Sequence, residues 1–166
     1  MERGPAEAAA REAASIYAGF WKRFAAYLID EVVLGAAGLA AFILFAVMMG
    51  IPLSVSGFSE EMIQGIVIMN IVIIDTLLNW LYFTLMQSSA RQATVGKMVM
   101  GIVVTDIHGR RMSFARANGR FWSKLISKFI FYIGYIIAGF TERKQALHDM
   151  IADTLVLNRT RGVSRV

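Results

Sequence analysis

Two long apolar runs constrain this chain more than any other feature. Val32–Met49 is 18 consecutive uncharged residues, and Met62–Met86 is 25 residues with a single ionisable side chain, Asp75. A helix needs ~20 apolar residues to cross the hydrocarbon of a bilayer. Only helices and closed barrels satisfy every backbone polar group there. The runs therefore predict two transmembrane helices over about 24–49 and 62–86. Gly50-Ile51-Pro52 is the expected stop of the first, and Leu53–Glu61 the link between them. Trp80 and Tyr82 lie toward the far end of the second, where interfacial aromatics are favoured.

Composition agrees with that reading. The chain has 166 residues, enough for one domain. It is 57% hydrophobic and 17% charged, against nearly half and a quarter in soluble domains. Cysteine is absent, which excludes disulfides, thiolate catalysis and cysteine metal sites. Met1–Ser15 is polar and Ala-rich, unlike a signal peptide, and is expected to be a disordered tail. The ten methionines, mostly within the spans, read as ordinary packing. The net charge is +5. Its carriers flank the apolar blocks instead of forming one patch, so nucleic acid is not an expected partner.

Beyond Met86 the pattern changes. Met98–Thr105 is rich in β-branched residues, and a His108-Gly109 turn leads to Met112-Ser113-Phe114, so 98–114 reads as a β-hairpin. Residues 113–128 read as an interfacial helix. Arg116, Arg120, Lys124 and Lys128 recur every four positions as a lipid-facing basic stripe, with Phe114, Phe121, Trp122, Leu125, Ile126 and Phe129 opposite. Phe129–Phe140 is apolar, but twelve residues reach only about 18 Å as a helix. That segment is interfacial, re-entrant or spanning. A short helix over Ala146–Asp153 and a strand over Thr154–Asn158 complete a domain of residues 16–158, and a basic tail follows over 159–166.

Lysine and arginine number four in residues 1–23, none in 50–61, six in 87–120 and five in 141–166. Positive loops stay inside, so two crossings with a cytoplasmic N-terminus satisfy the charges. The expected fold is an α-helical membrane protein: two transmembrane helices, the third apolar segment and a small cytoplasmic β-hairpin.

Ionisable residues within spans are functional candidates because burying a charge in lipid costs about 3 kcal/mol. Here they are Asp30, Glu31 and Asp75. Asp75 shares a face with Asn79 and a helix with Asn70, so Asp75, Asn70, Asn79 and Glu31 are candidates for a polar seam between helices. Such a seam is either structural glue or, at Asp30 and Asp75, a proton carrier. Arg23 precedes Asp30 by seven residues, about 10 Å along the axis, so each needs a partner from another element. His148-Asp149 suggests acid–base chemistry only weakly, since no HExxH, GxSxG or phosphate-loop pattern is present. Gly96-Lys97 lacks the upstream glycine of a phosphate loop. The chain reads as neither an enzyme nor a cofactor binder.

Several landmarks together resemble the RDD family of bacterial membrane proteins. They are Tyr17-Ala18-Gly19-Phe20 with Arg23, Ala26 and Ile29-Asp30; Thr94-Val95-Gly96-Lys97 with Gly101-Ile102-Val103-Val104; Gly109; Arg120; and Gln145-Ala146-Leu147-His148-Asp149 with Ala152 and Thr154-Leu155-Val156. The family is named for one arginine and two aspartates, which the resemblance places at Arg23, Asp30 and Asp149. Gly96, Lys97, Arg120 and His148 match further motif positions. Gln145 departs from the basic residue common there, and Asp75 is not a hallmark. The resemblance implies transport, with sodium–proton exchange suggested for some members. In that case Arg23 and Asp30 form a polar gate, Asp149 docks from the cytoplasmic side, and the chain works as an oligomer. The alternative is a non-transporting scaffold whose basic face recruits a partner protein or anionic membrane lipid.

Overall fold

A computed structural model describes residues 16–129, 141 and 143–159, with the side chains of 125–129 excepted. The expected tails at 1–15 and 160–166 and the apolar segment 130–140 lie outside the described residues.

Two long helices carry the apolar runs. Helix α1 (Phe20–Ser54) has 35 residues and α2 (Glu60–Ser88) has 29, about 52 and 44 Å at 1.5 Å per residue. Both are long and apolar enough to cross a membrane. The first outruns its expected stop. Pro52 lies in its last turn, and the helix continues to Ser54. Pro52 loses the N–H that would bond four residues back and its ring crowds that carbonyl, and only two helical residues follow it. Ser59 caps α2 by accepting from the Met62 amide at 3.3 Å, and Glu60 and Glu61 sit in the first turn, where the helix dipole favours negative charge.

Burial along these helices is lopsided. Val32, Leu44, Ile68 and Met69 are all more than half exposed, as on a surface covered by lipid or by another protein. Buried positions gather at one end. On α1 they are Ala26, Asp30 and Leu34, a stripe of i, i+4 spacing. On α2 they are Phe83, Thr84, Gln87 and Ser88 in the last two turns. The start of α1 and the finish of α2 thus form the platform on which the remaining chain is built.

That remainder is a small polar module: α3 (Val95–Val99), β1 (Ile102–Asp106), α4 (Phe114–Phe129), α5 (Leu147–Ile151) and β2 (Thr154–Asn158). Its core joins Ile102, Val104, Met112, Ala117 and Val156 to Ala18 and Ala26. The expected hairpin over 98–114 is corrected. Residues 95–99 are helical, and the strand paired with β1 is β2, antiparallel, with Ile102 opposite Asn158 and Asp106 opposite Thr154. The turn after β1 does form, and the Asp106 amide donates to the Arg110 carbonyl at 2.8 Å. The Asp106 carboxylate, however, takes the amides of His108 (2.9 Å) and Arg110 (2.8 Å). Those donors are lost to a ladder, and Met112 turns into the core before α4 begins. On the far edge of β2, the Ala18 amide donates to the Val156 carbonyl at 2.9 Å, tying the approach to α1 into the same sheet.

One close approach fixes how the module seats. A Cβ on Gly96 would lie 2.0 Å from the Ala26 carbonyl oxygen, so α3 meets α1 where only glycine fits. Gly96→Ala should lower stability by about 3 kcal/mol, at the upper end of overpacking costs. Gly119→Ala, in α4 with open space around its Cβ position, should be neutral or stabilising by up to about 1 kcal/mol. Thermal unfolding of the two variants in detergent measures the contrast.

Candidate functional site: a carboxylate clasp at the helix ends

Asp149, fully buried, is the hub of the platform. It sits in the first turn of α5, where its Oδ2 accepts from the Ala146 amide at 3.1 Å. Arg23 of α1 donates to the same oxygen through Nη1. Arg120 of α4 grips Oδ1 with two nitrogens, Nε at 2.9 Å and Nη2, the fork geometry arginine offers a carboxylate. The third nitrogen of Arg120, Nη1, donates to Gln87 Oε1 on α2. Arg23 Nε reaches back to the Ala18 carbonyl at 3.0 Å. One carboxylate thus joins α1, α4 and α5, and through Arg120 it also reaches α2.

Burial alone would push the Asp149 carboxyl up. The Arg120 guanidinium, with His148 and Arg23, outweighs it and holds the group well below the usual carboxylate range. His148 Nε2 is 3.4 Å from Asp149 Oδ1. Its own burial drives it down to about 3 against the pull of Asp149. At neutral pH His148 is therefore uncharged, and the arginines carry the pairing.

Asp30, also fully buried, forms a second junction. Tyr82 on α2 donates to its Oδ1 at 2.7 Å, the Gly96 amide of α3 to the same oxygen at 2.7 Å, and the Thr94 hydroxyl to Oδ2 at 2.6 Å. The Tyr82 oxygen in turn accepts from the Val95 amide at 3.0 Å. Arg23 and Asp30 therefore belong to separate junctions with separate partners, not to one gate.

The seam expected among Asp75, Asn70, Asn79 and Glu31 is not assembled within the chain. Asp75 is exposed, and its Oδ1 accepts from Asn79 Nδ2 at 3.1 Å on the same helix. Asn70 donates to the Ile66 carbonyl at 3.0 Å, and Glu31 is exposed on α1. Polar groups at i, i+4 satisfy one another locally, so they do not bridge the helices.

The lipid-facing basic stripe is likewise corrected. Arg120 is buried on Asp149. Arg116 Nη1 lies 3.7 Å from Asp106 Oδ2. Lys124 Nζ lies 3.8 Å from the centroid of Phe83. Arg120 and Lys124 on the basic side of α4 face the module, whereas Phe114 and Trp122 on the aromatic side are exposed. Periodicity separated the two faces, but which face turns inward depends on the acids waiting there. The Lys128 side chain lies outside the described residues. Lys97 Nζ is 5.6 Å from the same Phe83 ring. Burial, then Arg120, brings Lys97 down to about 8, and burial, then Lys97, holds Lys124 well below its ordinary value. Among the described residues no three His, Asp or Glu side chains cluster as a metal site would require.

The family model described as the RDD family matches residues 17–153, from the strand-bound segment before α1 to the end of the Asp149 turn. The chain belongs to the RDD family. It is 33% identical over 146 residues to the "Uncharacterized protein YxaI" of Bacillus subtilis (strain 168), an alignment covering 84% of this chain and 96% of that one. It is 34% identical over 164 residues to the "Uncharacterized membrane protein YteJ" of the same organism, covering 94% and 88%. No solved structure matches. Arg23, Asp30 and Asp149 hold polar elements against the ends of the two long apolar helices. Tyr82, which bonds Asp30, and Gln87, which bonds Arg120, carried no distinguishing sequence signal beyond their place at the end of an apolar run.

Asp149→Asn in this RDD protein should cost about 3–5 kcal/mol, the range for breaking a buried ion pair, because two guanidiniums are left facing a neutral amide. The pH dependence has two parts. His148 titrates lower in the folded state than unfolded, so stability is full above about pH 6.5 and falls as pH drops toward 3. Asp149 also titrates lower when folded, so its contribution is present above about pH 4 and disappears below it. Thermal midpoints from pH 7.5 to 5 should decline in the wild type and flatten in His148→Gln.

Proposed function

We propose that this RDD protein is a non-transporting membrane scaffold. Its two helices anchor a small basic module at the cytoplasmic surface of the membrane, and the module presents itself to a partner protein or to anionic lipid. The observation that carries this reading is the employment of Arg23, Asp30 and Asp149. All three are spent on contacts that hold the module to the helix ends, and both hydrogen-bonding edges of each carboxyl group are occupied by protein donors. A group that carries a cation or proton across a membrane must alternate between exposures, and these have no free edge with which to do so.

The outward surface of the module supports the same reading. Arg91, Arg110, Arg111 and Arg143 are exposed, on segments that the charge counts assign to the cytoplasmic side, where anionic lipid attracts basic residues by about 1 kcal/mol each. Phe114 and Trp122 stand exposed on α4, as they do on helices that rest at an interface.

Transport keeps one observation in its favour: the Asp75 carboxyl is exposed at the midpoint of α2, where lipid is a costly neighbour. A second copy packed there would enclose it. Sodium–proton exchange by the purified protein in liposomes decides between the readings. The scaffold predicts no cation-driven pH change above protein-free liposomes. Exchange by the wild type that disappears in Asp30→Asn or Asp75→Asn would reject it.

A further inference from the structure

The cations around the clasp outnumber its acids. Among the described residues, Arg23, Lys97, Arg120 and Lys124 meet at this end of the helices with only Asp30 and Asp149 between them. Arg120 is satisfied by Asp149 and Gln87, and Arg23 pairs with Asp149 and the Ala18 carbonyl, its buried Nη2 alone lacking a partner. The lysines are not served in the same way. Lys97 has one oxygen acceptor, the Thr94 hydroxyl at 3.5 Å, and that hydroxyl already donates to Asp30. The nitrogen of Lys124 rests on the face of Phe83. Each ammonium carries three donors, and a ring face offers a negative quadrupole but no lone pair. From Ile107 to Thr141 the sequence contains no Asp or Glu, so the stretch around Lys124 brings no carboxylate of its own. Both lysines are part-exposed, so an outside group can reach them.

The position of the pair narrows the chemistry. Phe83 is five residues before the end of α2, about 7.5 Å along the axis, near the depth of lipid headgroups. Below it, Leu81 and Leu85 are exposed, an apolar wall on which acyl chains can lie.

We infer that Lys97 and Lys124, drawn together over the ring of Phe83, bind a phosphate-bearing anion that supplies the acceptors the protein lacks. The inference rests on the membrane-surface scaffold reading and identifies the recognised chemistry as a phosphate, either the headgroup of an anionic phospholipid or a free phosphate ion. The two ammoniums bracket the anion, Phe83 keeps them apart from hydrocarbon, and Arg120 adds field without giving up Asp149. Binding would relieve the mutual repulsion of the lysines and so tighten α3 and α4 onto α2.

The experiment uses the full chain in nanodiscs of phosphatidylcholine alone or with phosphatidylglycerol. Native mass spectrometry reads the lipid retained, and thermal unfolding reads the stabilisation. Wild type should retain phosphatidylglycerol preferentially and unfold several degrees higher with it. Lys97→Gln/Lys124→Gln should retain roughly tenfold less or lower still, and its midpoint should no longer respond. The control Lys22→Gln/Arg159→Gln removes the same charge from exposed positions outside the module's basic surface and should behave as wild type. Lys124→Gln alone serves if the double variant does not fold, and a wild type that responds to neither phosphatidylglycerol nor inorganic phosphate overturns the inference. Inorganic phosphate titrated into the phosphatidylcholine nanodiscs separates the sources. A rise in wild-type midpoint with phosphate alone identifies the free ion, and silence there with a phosphatidylglycerol response identifies the headgroup. Retention by the double glutamine variant equal to wild type overturns the site. Liposome exchange activity, by contrast, would reject the scaffold reading while leaving lipid retention untouched, so the two failures are distinguishable.

Discussion

Asp149 is a carboxylate taken wholly out of water and held between two guanidiniums from different helices. Such a group is expensive to bury, and the arrangement is stable only while every partner stays in place. That demand organises the polar half of the molecule. Arg23 fixes where α1 must start, Arg120 fixes the rotation of α4, and Gln87 fixes the end of α2 against both. The β1–β2 sheet then delivers α5 to the one point where its first-turn carboxylate meets both arginines. Asp30 repeats the principle with neutral donors and holds α3 against α1 at Gly96.

The apolar part of the fold was legible because hydrocarbon imposes a simple rule on sequence: uncharged runs of sufficient length become helices. The limits of α1 and α2 differed from the expected ones by only a few residues, and Pro52 was overridden because it falls where the helix was about to end. The polar module was less legible because its pairings are non-local. Local sequence around His108 and Gly109 favoured a hairpin, and the turn exists. The strand that pairs with β1 lies some fifty residues downstream, and the Asp106 side chain removes the nearer competitor. The stripe on α4 shows the same limit. A period of four separates basic from aromatic residues, yet it does not say which side meets protein. Knowledge that Asp106 and Asp149 lie underneath is needed, and that is tertiary information.

The candidate residues divide along the same line. The family resemblance singled out Arg23, Asp30 and Asp149 without revealing that they act in two junctions. Asp75 was singled out by the cost of a carboxyl in lipid, and it is the one charge among the four that the chain leaves on an outer helix face. The polar groups that fold the protein and the polar groups left for other molecules are thus different sets. The first are enclosed at the helix ends, and the second, Asp75 and the lysine pair, remain reachable.

A double-mutant cycle on Arg120→Gln and Asp149→Asn, measured as unfolding free energy in lipid nanodiscs, tests whether one shared carboxylate holds module and membrane helices together. Partners in a single buried junction should show a coupling of about 2 kcal/mol or more, the double variant being little worse than the worse single. Losses that simply add, within about 0.5 kcal/mol, would contradict the account and leave the module attached by its apolar core alone.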